Sequence, residues 1–241
     1  MIPFVYSYVE YEKGDILGFI FAVTALFPVL ALTALLTLIA SRRDLHTCTL
    51  LLGLVLCEMV NHILKYAIRA PRPNPVLHPS FSVESPYAWP SDHAQFSTFC
   101  AIYTCLWAPR HWSVGKVWRG LVGALGLAVA ATVGVGRVYL GYHTTSQVLA
   151  GALIGALCAV AWFALVERIL RPLFPALAAT TLARQLWIRD LTPVKNVLKV
   201  EWEACMGYSS KSTTLLFGER KRFSQYQNDG LGFLLPHAHS R

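Results

Sequence analysis

ILGFIFAVTALFPVLALTALLTLIA, residues 16–40, contains no charged residue. An α-helix rises about 1.5 Å per residue, so roughly 20 apolar residues cross the hydrocarbon layer of a bilayer. The stretch is expected to span a membrane. It is too long for a signal peptide's apolar core and lacks the small-residue cleavage pattern, so it is expected to remain as an anchor. Four further apolar stretches follow: 47–66, interrupted by Glu58, Asn61, His62 and Lys65; 91–108; 120–135, short and rich in small residues; and 144–166. The whole chain of 241 residues is 55% hydrophobic and 14% charged, with a mean hydropathy of +0.46. That is too apolar for an ordinary soluble domain. The expected fold is all-α, a polytopic membrane helical bundle of about five transmembrane helices. One domain is expected over 1–206, with a polar, disordered tail over 207–241. Residues 175–191 fit either a helix lying along the membrane surface or a packed connector.

The six cysteines, Cys48, Cys57, Cys100, Cys105, Cys158 and Cys205, fall mostly inside apolar runs and lack the paired spacings of zinc sites or disulfide frameworks. They read as small buried hydrophobes. The net charge of +8 is uneven: from Arg168 onward there are eleven Lys and Arg against five Asp and Glu. Positive segments stay on the cytosolic side. Arg42, Arg43, Arg110, Lys116 and Arg119 share that side if the helices alternate, which puts Glu10, Glu12 and Asp15 on the other.

This topology gathers three polar clusters at one membrane face. KYAIRAPRP (65–73) ends the second helix, WPSDH (89–93) opens the third, and GRVYLGYH (136–143) joins the fourth and fifth. Lys65, Arg69, Arg72, Arg137 and His143 converge there, and converging cations call for an anion. Phosphate suits them: arginine's planar fork matches phosphoryl oxygens, and the helix N-termini at Ser91 and Thr144 offer backbone N–H groups. Two histidines beside such a cradle suggest that one attacks phosphorus while the other protonates the departing oxygen. The cations supply the charge neutralisation, so no metal or other cofactor is expected.

Lys65, six residues, then Arg72-Pro73; Pro90-Ser91-x-His93; and Arg137, five residues, then His143 resemble the three signature motifs of the type 2 phosphatidic acid phosphatase superfamily, which also includes vanadium haloperoxidases. YVEYEKGD (8–15), RRDLHT (42–47), HAQF (93–96), RVYLGYHTTSQVLAG (137–151) and IRDLTPVKNVL (188–198) extend the resemblance to the dolichyldiphosphatases of the endoplasmic reticulum, through about residue 203. The resemblance implies a multi-pass protein of the endoplasmic reticulum membrane with a lumenal site and a cytosolic tail. Its activity would be hydrolysis of dolichyl diphosphate to dolichyl phosphate and inorganic phosphate, recycling the carrier of protein N-glycosylation. His143 would be the nucleophile that becomes phosphohistidine and His93 the acid, with Lys65, Arg72, Ser91 and Arg137 as the phosphate cradle. The expected partners are a polyprenyl diphosphate and the bilayer, with no nucleic acid; the sequence names no protein partner. The alternatives are a lipid monoester phosphatase acting on phosphatidate or a sphingoid phosphate, and a non-catalytic protein that binds lipid phosphates.

Asp92 and Gly136 depart from the superfamily pattern, which has a small residue and a serine there. Asp92 either repels phosphate or turns outward as a favourable first-turn acid, and the second reading is preferred. Gln147 stands where the superfamily has Asp and the dolichyldiphosphatases have Gln. One turn from His143, it is expected to accept the ring N–H and fix the tautomer, as a third catalytic residue. Glu58, Asn61 and Lys65 share a helix face. Glu58 either supplies charge to His143 or pairs locally, with Asn61 in support. His62 reads as a satisfied core histidine.

Overall fold

The computed structural model describes residues 2–4, 9–73, 86–111, 115–194, 196–197 and 199–208. The first apolar run is divided. α1 spans Ile16–Thr24 and α2 Phe27–Arg42, with a turn at Ala25 and Leu26. Pro28 opens α2, where its missing N–H costs nothing because first-turn donors have no helical acceptor. α3 (Leu45–Ile68) is capped by Asp44, whose carboxylate accepts from Thr47 N at 3.1 Å, and ends on Arg69 at φ +55°. α4 spans Asp92–His111, α5 Lys116–Tyr139 and α6 Thr145–Leu165. A π-helical turn, Val166–Leu170, carries α6 into α7 (Arg171–Ala178), followed by α8 (Thr181–Gln185). One feature lies outside the all-α expectation. β1 (Ile2–Phe4) and β2 (Val9–Tyr11) form an antiparallel hairpin with Ile2 opposite Tyr11.

Among the described residues, four helical runs, 16–42, 45–68, 116–139 and 145–178, are long and apolar enough to cross a membrane. Their outer faces are apolar and open: Leu149, Leu153 and Leu157, one turn apart on α6, are each at least 60% exposed. α4, the fifth expected span, has the length but not the hydropathy. It packs most extensively against α6 and α5, so its neighbours take the lipid-facing role. Phe96, Phe99 and Tyr103 of α4 build the main core with Leu54 and Cys57 of α3 and Phe163 of α6.

The α4–α6 seam is set by glycine. A Cβ at Gly151 would collide with the Ser91 carbonyl, and one at Gly155 with the Gln95 carbonyl. α3 meets α6 more loosely. An apolar cleft of about 340 Å³ lies there, lined by Gly53, Cys57, Val60, Phe99, Cys158 and Trp162.

At the opposite end of the bundle from the three motifs, Arg189 N donates to Arg43 O (2.9 Å) and Arg189 O accepts from Leu45 N (3.0 Å). Asp44 Oδ1 also accepts from Leu191 N at 3.0 Å. Residues 188–191 are therefore packed onto the α2–α3 junction, which favours the connector reading of this stretch. A second unit begins at Asn196. In it Asn196 Oδ1 accepts from Lys199 N at 3.0 Å and helix continues over 199–208, so Gly207 and Tyr208 are helical. The rest of the polar tail lies outside the described residues.

Gly155→Val is expected to destabilise the protein by at least the roughly 1–3 kcal/mol typical of overpacking, because the obstacle is backbone. Thermal unfolding in detergent checks it. An unchanged midpoint would contradict the close approach.

Candidate active site

Backbone hydrogen bonds join the three motifs. Ala88 N donates to Ala70 O at 2.9 Å, and Pro71 bridges Tyr87, so the segment before α4 lies along the end of α3. Ser91 N donates to Gln147 O at 3.1 Å, which ties the mouth of α4 to α6. Past α5 the chain turns through Gly141 at φ +74°, a conformation glycine adopts without a steric penalty. Tyr142 N and His143 N then both donate to Arg137 O, at 3.0 and 3.1 Å.

Lys65, Arg72, Ser91 and Arg137 are all buried, none more than 5% exposed. The Arg137 guanidinium lies over the Tyr142 ring, 4.2 Å from its centroid, a cation–π contact that favours the charge. The Tyr142 hydroxyl accepts from Glu10 N at 2.9 Å and so anchors the N-terminal hairpin beside the cradle. Among the described residues, Ser91 Oγ and His143 Nε2 are buried without a hydrogen-bond partner.

His143 Nδ1 lies 3.0 Å from the Ala88 carbonyl oxygen. A carbonyl only accepts, so Nδ1 carries the proton and Nε2 presents its lone pair. Burial, aided by the charges of Arg137, Arg72 and Lys65 against the opposing Asp92, holds this imidazole well below the ordinary histidine pKa. It is neutral at physiological pH, as a nucleophile must be. His93 shares Asp92 with it: Asp92 Oδ1 is 3.2 Å from His93 Nδ1 and 4.0 Å from His143 Nε2. Among the described residues no group of three or more His, Cys, Asp or Glu is placed to hold a metal ion.

Several expectations are corrected. Asp92 turns inward: Oδ2 is 3.4 Å from Lys65 Nζ, and Oδ1 accepts from His93 N at 2.9 Å. Buried cations outweigh the weaker attraction of a helix end. Gln147 does not orient His143. Its Oε1 accepts from Thr144 N (3.0 Å), its Nε2 donates to Pro71 O (3.3 Å), and its own N donates to Thr144 Oγ1 (3.3 Å). The first and third contacts form a capping box, so the Thr144 N–H is not offered to an anion. At Gly136 a Cβ would lie 3.0 Å from Phe21 Cβ, so this position packs α5 against α1 rather than facing the cradle. Glu58, among the described residues, makes no hydrogen bond or ion pair with His143 or Lys65, while Asn61 is buried. His62 is exposed rather than in the core.

Two participants escaped the sequence reading. Gln95, fully buried, accepts from Asn61 Nδ2 at 2.9 Å and donates to Cys57 O at 2.6 Å. Asn61 Nδ2 also reaches Pro90 O at 3.5 Å, which completes a polar chain from α3 to the residue before Ser91. An amide one turn inside an apolar run was the available signal. The Ala88 carbonyl, a backbone group, gave none.

These contacts make Gln147 a joint between the Pro71–Arg72 segment, Ser91 and the His143 loop. Gln147→Glu keeps the acceptor for Thr144 N but turns a carboxylate oxygen toward the Pro71 carbonyl. Turnover is expected to fall about tenfold, in line with a lost buried hydrogen bond and the resulting repulsion. Wild-type turnover in that variant would restore the ring-orienting role.

The profile of the PAP2 superfamily matches residues 46–171. Dolichyldiphosphatase 1 of Rhinolophus ferrumequinum is 41% identical over 208 residues, covering 83% of this chain and 86% of that protein. The human dolichyldiphosphatase 1 is 39% identical over 207 residues, with the same coverage. A Bacillus subtilis transmembrane PAP2-type phosphatidylglycerolphosphate phosphatase superposes with a TM-score of 0.57 at 22% identity, covering 65% of this chain and 80% of that one. That likeness establishes the fold. The three motifs, the helical bundle that unites them and these matches agree: the chain belongs to the PAP2 superfamily, within the family of the dolichyldiphosphatases.

Proposed function

We propose that this protein hydrolyses a polyprenyl diphosphate, dolichyl diphosphate by the affinity of its relatives, to the lipid monophosphate and inorganic phosphate. The observation that carries the reading is a neutral His143 whose Nε2 lone pair sits among the buried cations Lys65, Arg72 and Arg137. Such cations stabilise the charge that spreads over the phosphoryl oxygens during transfer. His143 Nε2 attacks the terminal phosphorus; the P–N bond forms as the bridging P–O bond breaks. His93 delivers its proton to the departing lipid phosphate, while Nδ1–H of His143 stays on the Ala88 carbonyl. Water, deprotonated by His93, then attacks the phosphohistidine and releases inorganic phosphate. The lipid tail remains among acyl chains, as the exposed apolar faces of the bundle favour.

The site faces the lumen of the endoplasmic reticulum, where hydrolysis serves recycling of the N-glycosylation carrier, and the basic C-terminal tail faces the cytosol. Support for this orientation comes from the positive segments at Arg42–Arg43 and Arg110–Arg119. A glycosylation acceptor inserted beside Phe81 is expected to be modified, and one beside Arg241 to remain unmodified. Modification of both would place them on the same side and refute the orientation.

Phosphate release in detergent with a chelator present is expected to be faster from dolichyl diphosphate than from phosphatidate. The opposite order would favour a monoester phosphatase. His143→Ala is expected to abolish turnover together with any acid-labile phosphoenzyme. His93→Ala is expected to slow it by about 10² to 10⁴, the usual share of general acid–base catalysis. The loss should be smaller for a diphosphate, whose leaving group is a phosphate rather than an alkoxide. A phosphoryl group mapped to His93 would reverse the two roles.

A further inference from the structure

Asp92 stands where the superfamily has a small residue, and its carboxylate reaches a buried cation, a first-turn N–H and both histidines. Oδ2 is 3.4 Å from the Lys65 ammonium. Oδ1 accepts from His93 N, in the first turn of α4, at 2.9 Å and lies 3.2 Å from the His93 ring. The same oxygen is 4.0 Å from the nucleophilic Nε2 of His143, little beyond the roughly 3–3.5 Å at which reacting atoms are held. A cation, a helix N-terminal N–H, the acid and the nucleophile thus surround one carboxylate.

We propose that Asp92 is a specificity-determining counter-anion: its carboxylate occupies the position the terminal phosphate takes, and phosphate binds by displacing it. The inference rests on the reading of this cradle as a phosphate site. The Asp92 side chain is 31% exposed against 3% for Lys65, so the aspartate, unlike the lysine, has solvent to turn toward. Rotation outward about its own side-chain bonds keeps it in the first turn of α4, where a negative charge is still favoured.

Two consequences follow for the reaction. A ligand must interact with these cations more strongly than a carboxylate does, which favours a multiply charged phosphoryl group over singly charged anions. After hydrolysis the returning carboxylate competes with inorganic phosphate for Lys65 and the α4 N-terminus, which hastens its release.

The test uses the full chain in detergent and inorganic phosphate as the probe, with binding followed by ³¹P NMR, so it does not depend on turnover of any lipid. Thermal unfolding of each variant confirms that it is folded. In both Asp92→Asn and Asp92→Ser, phosphate is expected to bind at least about tenfold more tightly than in the wild type, a change of about 1.4 kcal/mol. Acetate is expected to compete with phosphate in Asp92→Ser, where it can take the carboxylate's position, and not in the wild type. Unchanged or weaker phosphate binding in folded variants overturns the proposal, as does the absence of phosphate binding throughout. Tighter binding without acetate competition overturns it too, because it would reduce Asp92 to a general electrostatic influence. Failure to hydrolyse dolichyl diphosphate would count against the substrate assignment alone and leave the phosphate result standing.

Discussion

Moving an ammonium or guanidinium out of water costs several kcal/mol even after the surroundings relax. The bundle does so at Lys65, Arg72 and Arg137, around one small space. That concentration of buried positive charge governs the rest of the site. Burial, aided by these charges, keeps His143 neutral, and the charges draw Asp92 inward against its helical preference and call for the aromatic face of Tyr142 beneath Arg137. The same electrostatic demand that burdens the fold favours an anion in this space, because the cations there are already stripped of water.

Holding the cations in register falls to α4. The helix is enclosed by its neighbours, which lets it carry polar residues that a lipid-facing span could not. The chain of Cys57, Gln95, Asn61 and the Pro90 carbonyl runs along its inner face and ends beside Ser91. Each of these contacts ties a buried amide to one particular partner, so another packing of α3 on α4 would cost the hydrogen bonds they make. The packing of α3 on α4 and the placement of the segment before Ser91 are consequently one network.

The sequence was informative wherever a property repeats along the chain. Apolar runs located the helices to within a few residues, and the spacing of Lys65, Arg72, Ser91, His93, Arg137 and His143 placed them in one cluster. Contacts that depend on where one backbone passes another were not legible. The Ala88 carbonyl that fixes the His143 tautomer is such a case, and so is the Phe21 ring that explains Gly136. Gln147 misled for a related reason: spacing put it one turn from His143 but said nothing of Pro71, to which its amide is bound. The break between α1 and α2 was missed because hydropathy continues across it, although Pro28 marked the place.

The glycine seam also limits how the molecule can move. With Gly151 against the Ser91 carbonyl and Gly155 against the Gln95 carbonyl, α4 and α6 are in backbone contact, and neither has side-chain slack to take up a sliding or parting motion. Any breathing that admits a membrane-embedded chain must therefore occur elsewhere. The boundary between α3 and α6 differs: side chains fill it, with the Trp162 indole donating to Thr49 O at 3.0 Å beside the apolar cleft. Rotation of side chains, rather than movement of one backbone past another, is the freedom that this boundary offers.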